Sequence, residues 1–432
     1  MRRLATTDAG FDADFAALLA ARGAAVDVAG AVAAIIARIR DEGDAALLDL
    51  TRRFDGFAAE AATLAIDAAE IDAAVADLPA AQRDALDLAA TRIEAFHRAQ
   101  MPKDLALVDD VGAELGLRWT PLDAVGLYVP GGKAAYPSSV LMNAIPARIA
   151  GVARVAMCVP APGGVVNPLV LAAARRAGVT EIYRVGGAQA VAALAFGTGS
   201  IAPVDRIVGP GNAYVAEAKR QVFGRVGIDS IAGPSEVLVI ADRDNDPDHV
   251  AIDLLAQAEH DEAAQAILLT DDAGFADRAA LAVERALADL PRAAIAGAAW
   301  RDHGAIVLTR DLAEAADLAN LVAPEHLQIM TADPRAVFAR IRHAGAAFLG
   351  RFTPEAIGDY IAGPNHVLPT SGTARFASGL SVFDFLKRTS WASLGPDALR
   401  QIGPAAEILA RAEGLDAHAR SIASRLARET AG

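Results

Sequence analysis

Four of the eight histidines stand beside residues that can share their chemistry. The first is His260, in a segment of helical character in which Gln257 lies three residues earlier and therefore on the same helix face. This spacing suits two ligands of one metal ion. A solvated, acidic helix end has the same pattern, and the spacing alone favours that second interpretation.

An acid and a base are adjacent at Glu325-His326, where the proline-broken joint Ala323-Pro324 leads into an apolar run typical of a strand. Carboxylate and imidazole side chains are the usual groups of general acid-base catalysis, so the pair suggests proton transfer. A turn that exposes two polar residues explains the pattern equally well.

The other two histidines of this group are accompanied by carboxylates. Asp359 and His366 share the segment 358–370, whose glycines and prolines predict an irregular loop, either one that carries a site or an ordinary surface loop. Glu413 and His418 are five residues apart near the C-terminus, which is not one face of an ideal helix, so a solvated helix is the simple alternative. Imidazole and carboxylate ligands together suit zinc. The remaining histidines occur in charged or helical surface contexts, and we predict no functional role for them: His97, His249, His303 and His343.

Glycine-rich clusters follow strand-like runs at residues 130–133, 186–189, 209–212 and 233–235. In an open α/β sheet, ligands lie beyond the carboxyl ends of the strands, where glycine lets the backbone approach a phosphate. None of the clusters is a strict dinucleotide-binding fingerprint, because Tyr214 stands at the third glycine position after Gly209-Pro210-Gly211. Strand-to-helix turns also use glycine for steric reasons, so each cluster is as compatible with a structural turn as with a ligand contact.

The elements that carry these residues alternate between strand and helix. Residues 26–97 have an amphipathic helical pattern, and residues from about 404 onward are helical again. Between them, short and often β-branched runs end in glycine or proline, and most are followed by helical stretches. The runs form two series, at residues 125–129, 152–159, 181–185 and 206–208, and at residues 236–240, 266–270, 305–309, 326–330 and 346–349. This alternation predicts an α/β fold with two mostly parallel sheets in tandem.

Composition narrows the range of functions. The net charge of −14, with scattered acidic residues and 5% aromatic residues, leaves no basic or base-stacking surface for nucleic acid. The longest apolar stretches are broken by proline and glycine, which argues against a membrane protein. The single cysteine, Cys158, forms no internal disulfide, and Asp8 and Asp12 follow the start of the chain where a signal peptide would be apolar. We therefore expect a cytoplasmic protein with a small-molecule partner.

Taken together, these segments resemble the histidinol dehydrogenase family, from residues 52–56 to the C-terminal segment. The most specific matches are residues 128–132, 209–212, 232–236, 257–260, 324–326, 358–370 and 378–382. The resemblance implies two incomplete Rossmann-like α/β/α domains in tandem with helical N- and C-terminal extensions. The implied parts are an N-terminal helical arm (1–25), a larger α/β domain with most metal and catalytic residues (26–125 and 236–380), a second α/β domain on the NAD side (126–235), and a C-terminal helical arm (381–432) that reaches the partner subunit.

The same resemblance implies one zinc ion per subunit, held by Gln257, His260, Asp359 and His418. In the family the C-terminal arm crosses a homodimer, so His418 would complete the site of the partner. The metal would hold the amine and imidazole nitrogens of histidinol, which positions the substrate without any redox role for the ion.

The catalytic roles are also implied by the resemblance. His326 corresponds to the general base and Glu325 to the group that activates water for the second of two NAD-dependent oxidations, from L-histidinol through L-histidinal to L-histidine, the last steps of histidine biosynthesis. The implied substrate contacts are Ser235, Gln257, His260, His326, Asp359, His366, Glu413 and His418, and the implied NAD contacts are Tyr128, Gln189 and Asn212.

Two other functions are compatible with the ligand pattern. A paralogous zinc- and NAD-dependent dehydrogenase could oxidise another small polar alcohol, although Tyr360 and residues 381–385 follow the histidinol pattern. A non-catalytic zinc-binding scaffold needs no acid and base beside the metal, so the Glu325-His326 pair argues against it. Cys158 has no charged neighbour in sequence to lower its pKa, and we interpret it as a core residue, not a nucleophile.

Overall fold

The computed structural model describes residues 1–20, 27–131, 135–231 and 233–428. The chain divides into two compact units, of which the first consists of Met1–Gln100 and Leu122–Phe385 and the second of Met101–Pro121 and Leu386–Gly432. The predicted site residues belong to the first unit, except Glu413 and His418, which belong to the second.

Strands and helices alternate through most of the described ranges. The strands are β1 (Arg2–Ala5), β2 (Leu105–Val108), β3 (Glu114–Pro121), β4 (Ala124–Tyr128), β5 (Arg154–Cys158), β6 (Glu181–Tyr183), β7 (Arg206–Val208), β8 (Gly227–Ile228), β9 (Glu236–Ala241), β10 (Gln265–Thr270), β11 (Ala305–Leu308), β12 (His326–Met330), β13 (Ala346–Leu349) and β14 (Leu386–Ser393). The helices are α1 (Phe11–Ala20), α2 (Ala29–Glu42), α3 (Asp44–Asp55), α4 (Ala61–Leu64), α5 (Ala68–Ala76), α6 (Ala80–Ala99), α7 (Pro137–Ala150), α8 (Pro168–Ala177), α9 (Gly187–Phe196), α10 (Ala213–Val222), α11 (Pro247–Ala258), α12 (Ala273–Asp289), α13 (Ala293–His303), α14 (Leu312–Val322), α15 (Pro334–Phe338), α16 (Ala356–Tyr360), α17 (Pro396–Ala412) and α18 (Asp416–Arg428). Within the described ranges, none of these helices combines the length and the apolar character that a bilayer crossing requires.

The first unit contains two parallel sheets. The six-stranded sheet has the order β1-β11-β10-β9-β12-β13, and the five-stranded sheet has the order β6-β5-β4-β7-β8. Apart from the edge strand β1, each sheet starts at a central strand, adds strands on one side, and then continues on the other side, so the order changes direction between β4 and β7 and between β9 and β12. Such switch points open a crevice in α/β sheets. The predicted α/β class with tandem sheets is confirmed.

Helices cover both faces of the six-stranded sheet, so its central strands are buried and almost wholly apolar. Side chains of β9 alternate between two cores. Val237 and Val239 pack with α11 and α12, whereas Leu238 and Ile240 pack with α1 and α14. This double-sided burial holds β9 and its neighbour β12 in a fixed register, with His326 opposite Val237.

The helices α2 and α3 pack against the five-stranded sheet. Val32, Ile39 and Leu47 lie in one core with Ala156 and Ile207 of that sheet. The prediction that residues 26–125 group with residues 236–380 is therefore wrong for these helices. Their amphipathic pattern identifies which face is buried, but it carries no information about which sheet buries it.

Both predicted helical arms contain a strand. In the N-terminal arm β1 pairs in parallel with β11, and in the C-terminal arm β14 pairs antiparallel with β3. The second unit is thus a three-stranded sheet, β14-β3-β2, together with α17 and α18, which pack on each other. Both strands have charged or mixed sequences, and each depends on a partner strand from a distant part of the chain, so neither has a strong local signal.

Candidate active site

His326 is the first residue of β12, and the neighbouring strand β9 orients its ring. Its Nδ1 lies 3.0 Å from the backbone oxygen of Glu236. A carbonyl oxygen only accepts, so Nδ1 carries the proton and Nε2 keeps a free lone pair, which faces Oε1 of Glu355 at 3.6 Å. Burial lowers the pKa of His326 to about 4. The ring is therefore a neutral base at physiological pH, presented through Nε2.

Glu325 lies beside this ring and is also buried. One of its oxygens, Oε2, accepts a hydrogen bond from the backbone N–H of Glu236 at 2.9 Å and lies 3.7 Å from Nδ1 of His326. Burial raises the pKa of Glu325 well above the usual carboxyl value, and the charges of nearby carboxylates raise it further. The side chain can therefore hold or release a proton next to the base.

Glu355 completes the surroundings of His326 and was not anticipated from the sequence. It directly precedes α16, and its backbone N–H donates to Oε1 of Gln328 at 3.2 Å. Nε2 of Gln328 in turn donates to Oδ2 of Asp253 at 2.7 Å. Burial, with the charges of Asp359 and Asp253, raises the pKa of Glu355 to about 8. Its position four residues before Asp359 was the available signal, but an isolated glutamate in sequence does not reveal burial.

Asp359 lies between two of the predicted histidines. Its Oδ1 is 3.5 Å from Nδ1 of His366, and its Oδ2 is 4.0 Å from Nε2 of His260. Burial alone would raise the pKa of Asp359, but the bond to His366 and the nearby imidazoles outweigh it, so the pKa is lowered. His366 is fixed further, because Nδ1 lies 3.0 Å from the backbone oxygen of Asp359 and Nε2 lies 3.4 Å from Oγ of Ser139 on α7.

The donor set fits a divalent cation. Two ligands that each lie about 2.1 Å from one ion can be at most about 4.2 Å apart, a limit that His260 and Asp359 satisfy. A cation would also relieve the repulsion among the acids that surround His326, which the raised pKa values of Glu325 and Glu355 reflect.

One group of side chains in the described ranges has ligand atoms within 4.8 Å of one another, namely His326, Glu355 and Asp359. It shares only Asp359 with the predicted ligand set. Nε2 of His326 cannot bind a metal and accept a substrate proton at once, so these two assignments exclude each other. Gln257 is buried on the last turn of α11, and its backbone oxygen accepts from the backbone N–H of His260 at 3.2 Å.

The two remaining predicted ligands of metal and substrate belong to the second unit. Glu413 directly follows α17, and His418 lies in the first turn of α18. Both are exposed to solvent in the chain as described. The first unit therefore assembles His260, Asp359, His326 and His366 by itself, whereas Glu413 and His418 come from a separately folded part.

The three predicted NAD contacts surround the carboxyl ends of the five-stranded sheet. The hydroxyl oxygen of Tyr128, at the end of β4, accepts from the backbone N–H of Gly187 at 3.0 Å. Gln189 in the first turn of α9 is buried, and its Nε2 has no hydrogen-bond partner in the described part of the chain. Oδ1 of Asn212 caps α10 by accepting from the N–H groups of Tyr214 and Val215. A buried donor without a partner can be satisfied by a polar ligand or an ordered water, and the carboxyl ends of strands at a switch point are where α/β sheets bind dinucleotides, so these residues fit one.

Two of the four predicted glycine clusters differ from the others. Gly132 and Lys133 of the first cluster lie outside the described residues. The fourth cluster, expected at a strand's carboxyl end, precedes the amino end of β9, where Gly233 donates its N–H to Oγ1 of Thr370 at 2.6 Å. That prediction is wrong because the chain passes from one sheet to the other here. The passage places Ser235 directly before Glu236 and thus near His326.

His97 is buried, so the prediction of a surface context is wrong. Its Nδ1 lies 2.8 Å from the backbone oxygen of Ile93, and its Nε2 lies 3.4 Å from Nδ2 of Asn365, which donates to the backbone oxygen of Met142. His97 therefore supports the loop that carries His366. Its charged helical neighbours concealed this, because they lie on other faces of α6.

Cys158 is a core residue, as predicted. It is buried at the end of β5, and burial raises the pKa of its thiol to about 12. A thiol of this kind is not a nucleophile at physiological pH.

Predicted dinucleotide contacts at the carboxyl ends of one parallel sheet, together with a buried neutral base on a strand of the other, are the combination that an NAD-dependent dehydrogenase requires. The sequence matches the profile of the histidinol dehydrogenase family over residues 20–426. It is 67% identical to the histidinol dehydrogenase of Gluconobacter oxydans over 427 residues, with 99% of each chain covered. It is 63% identical to that of Rhizobium meliloti over 425 residues, with 98% of each chain covered. The crystal structure of histidinol dehydrogenase from Elizabethkingia anophelis matches with a TM-score of 0.95 and 36% identity over 100% of this chain and 99% of that one.

The chain therefore belongs to the histidinol dehydrogenase family. This membership confirms the predicted enzyme class, an NAD-dependent oxidoreductase that acts on histidinol, and does not favour a paralogous dehydrogenase of another alcohol.

Proposed function

We propose that the protein oxidises L-histidinol through L-histidinal to L-histidine in two NAD-dependent steps at one site. The observation that carries this proposal is the presentation of His326. Its Nδ1 is tied to the backbone of β9, its Nε2 is free, and its pKa is lowered to about 4, so it can accept a proton without itself being charged beforehand.

In the first step Nε2 of His326 accepts the hydroxyl proton of the alcohol while the hydrogen on the same carbon leaves as hydride. The dinucleotide bound near Tyr128, Gln189 and Asn212 supplies the hydride acceptor. The alcohol loses two electrons and two hydrogens, which gives the aldehyde. The Nδ1 bond to Glu236 stabilises the imidazolium that forms, because a carbonyl oxygen faces the charged ring at 3.0 Å.

The second step needs water. Glu325 lies within reach of the same proton network, and we assign it to activate the water that adds to the aldehyde. The resulting hydrate is again an alcohol. Once His326 has passed its first proton to solvent and a second NAD has replaced NADH, it can accept the hydroxyl proton of the hydrate while the second hydride goes to that NAD. Retaining the aldehyde between the steps protects a reactive amino-aldehyde from side reactions in water.

We assign Gln257, His260 and Asp359 of one subunit, and His418 of the partner subunit, to one zinc ion. Such an ion would hold the amine and imidazole nitrogens of the substrate and fix its position. The distance between His260 and Asp359 and the surrounding buried carboxylates support a cation here. Ser235, His366 and Glu413 are assigned to the substrate.

The assignment of His418 requires a homodimer. The second unit supports one, because β2 is exposed along its whole length and α17 exposes large apolar side chains, with Ile408 68% and Leu409 64% exposed. Large apolar side chains that are exposed on neighbouring positions often mark interaction sites. We further propose that the dimer works in the cytoplasm, where the single buried cysteine remains reduced.

The proposal is tested by NADH formation, followed by absorbance, with purified protein, L-histidinol and NAD, before and after chelation and zinc replenishment. We expect two NADH per histidinol and loss of turnover that zinc restores. Metal-dependent binding of histidinol without NADH formation would contradict the oxidation and favour a scaffold.

Sharing of the site between subunits is tested by mixing two inactive variants, His418→Ala and His326→Asn, under conditions that exchange subunits. In a mixed dimer one site has an intact His326 and receives the intact His418 from the other chain. Random exchange makes half of the dimers mixed, each with one complete site, so we expect recovery of about a quarter of wild-type activity. If mixing recovers no activity, His418 serves its own subunit or another purpose.

A further inference from the structure

A buried ion pair lies beneath the loop that precedes α10. Lys219 on α10 and Asp229 after β8 face each other, and their side chains are only 2% and 5% exposed. Neither residue has been assigned to metal, substrate or cofactor. Lysine is almost never buried to this degree unless it is paired, so the position of the pair calls for an explanation.

The pair holds the two peptide groups on either side of one glycine, Gly209. Nζ of Lys219 donates to the backbone oxygen of Gly209 at 3.0 Å, and Oδ2 of Asp229 accepts from the backbone N–H of Gly209 at 2.7 Å. Gly209 directly follows β7 and has a φ of +111°, and a Cβ atom there would lie 2.1 Å from the backbone oxygen of Tyr128. The left-handed backbone and the close approach to β4 both require glycine, and the ion pair locks it in place.

The loop is also fixed at its other end. Asn212 caps α10, so the backbone between Gly209 and Asn212 is held by charged groups on one side and by the helix on the other. Asp229 lies six residues before Ser235 in the chain. One short segment therefore connects the cofactor loop to the strand that orients His326.

Stability alone does not explain such a pair. Removing two charges from water costs several kcal/mol, and apolar residues of similar volume are often as stabilising. A loop between a strand and a helix also does not need a buried lysine in order to form. The two hydrogen bonds to a single glycine instead point to control of backbone position.

We propose that Lys219 and Asp229 are positioning residues for the dinucleotide, which set the place of the Gly209–Asn212 backbone against the cofactor. Because this role depends on the proposed binding of NAD at this loop, wild-type NADH binding is measured first. Loss of the pair is then expected to weaken the dinucleotide complex specifically, since none of the described residues assigned to substrate or metal contacts Gly209, and His260, Asp359 and His366 follow strands or helices of the six-stranded sheet.

The test uses the double variant Lys219→Met, Asp229→Leu, which replaces the pair with apolar side chains, and the single variant Asp229→Asn, which removes one charge and keeps an acceptor for Gly209. NADH affinity is measured by protein fluorescence, the unfolding temperature by calorimetry, and the KM values for NAD and histidinol by turnover. The matched control is Arg154→Met, which breaks the Arg154–Glu181 pair at the opposite end of the same sheet.

We expect the NADH dissociation constant to rise roughly tenfold or more in the double variant and roughly threefold in Asp229→Asn. The KM for NAD should rise with it, while the KM for histidinol, the zinc content and the control variant stay near wild type. A folded double variant, or a folded Asp229→Asn, with wild-type NADH affinity would overturn the positioning role. Wild-type protein that binds no NADH would instead contradict the proposed cofactor site itself.

Discussion

Replacement of His326 by asparagine separates the base from the scaffold that holds it. The asparagine amide nitrogen takes the place of Nδ1, so it can still donate to the backbone oxygen of Glu236, 3.0 Å from Nδ1 in the native ring. Nothing in the new side chain takes the place of Nε2. The strand register between β9 and β12 should persist, because it depends on backbone bonds and on buried neighbours such as Leu327.

The size of the effect follows from the loss of general-base catalysis alone. That contribution is about 10²- to 10⁴-fold, or about 2.7 to 5.4 kcal/mol at 1.36 kcal/mol per tenfold change in rate. Since burial lowers the pKa of His326 to about 4, the acid limb of kcat/KM that belongs to this residue should lie near that pH, well below the ordinary value of about 6.5. His326→Asn should remove this limb together with the activity.

The assay is NADH formation from saturating histidinol and NAD, with zinc content and NADH affinity measured on the same preparations. His97→Asn is a matched control, because His97 is also buried and also bonded to a backbone oxygen through Nδ1. We expect it to keep turnover within about tenfold of wild type. If His326→Asn kept turnover within tenfold of wild type with a native fold, the assignment of the base would be wrong.

Three further predictions concern the second oxidation, the metal and acid stability. Glu325→Gln keeps an acceptor for the N–H of Glu236 but cannot activate water. Oxidation of added histidinal should therefore fall by about 10²- to 10⁴-fold, while formation of histidinal from histidinol persists. Equal loss of both oxidations would refute a separate role for Glu325. Asp359→Asn removes the carboxylate that faces His260. The zinc affinity, measured by competition with a chelator, should therefore fall by at least about tenfold. Unchanged zinc affinity would exclude Asp359 as a ligand. Burial lowers the pKa of His97, so the folded chain binds this proton more weakly than the unfolded chain, and stability is lost as the pH falls below about 6.5. His97→Asn should therefore reduce the drop in unfolding temperature between about pH 7.5 and about pH 5.5, and an unchanged drop would show that other groups cause it.

The sheets of the first unit could be predicted because each strand has a strong local signal. After Glu236 the run 236–240 is apolar, it follows glycine and proline, and it forms β9 almost as predicted. Strand β1 could not be predicted in this way, since Arg2-Arg3-Leu4-Ala5 becomes a strand only through pairing with β11. The choice of partner, for β1 as for α2 and α3, depends on contacts between distant parts of the chain.

The candidate site could be predicted where chemistry is visible in the residue type. Histidines next to acids, such as His326 and His260, are recognisable candidates in sequence, although an exposed turn or an acidic helix end has the same pattern. Glu355 and the backbone of Glu236 remained hidden, since a buried glutamate resembles an exposed one in sequence and a backbone oxygen has no sequence signal at all. In the folded chain the Glu355 carboxyl group faces Nε2 of His326, and the backbone oxygen of Glu236 faces Nδ1. These two contacts determine how His326 is presented as a base.

The two sheets contribute to the reaction through opposite ends of their strands. The proposed cofactor contacts lie at the carboxyl ends of strands such as β4 and β7, where open α/β sheets bind their ligands. The base lies at the amino end of β12, beside the amino end of β9. The contact between Ser139 and His366 joins α7, which follows a strand of the five-stranded sheet, to the loop that carries His366 beside the six-stranded sheet. Hydride transfer requires contact between cofactor and substrate, and the chain passes from the cofactor loop to β9 between Asp229 and Glu236. We therefore predict that a single residue inserted there reduces turnover, measured as NADH formation, more than it reduces the measured affinity for NADH or histidinol alone.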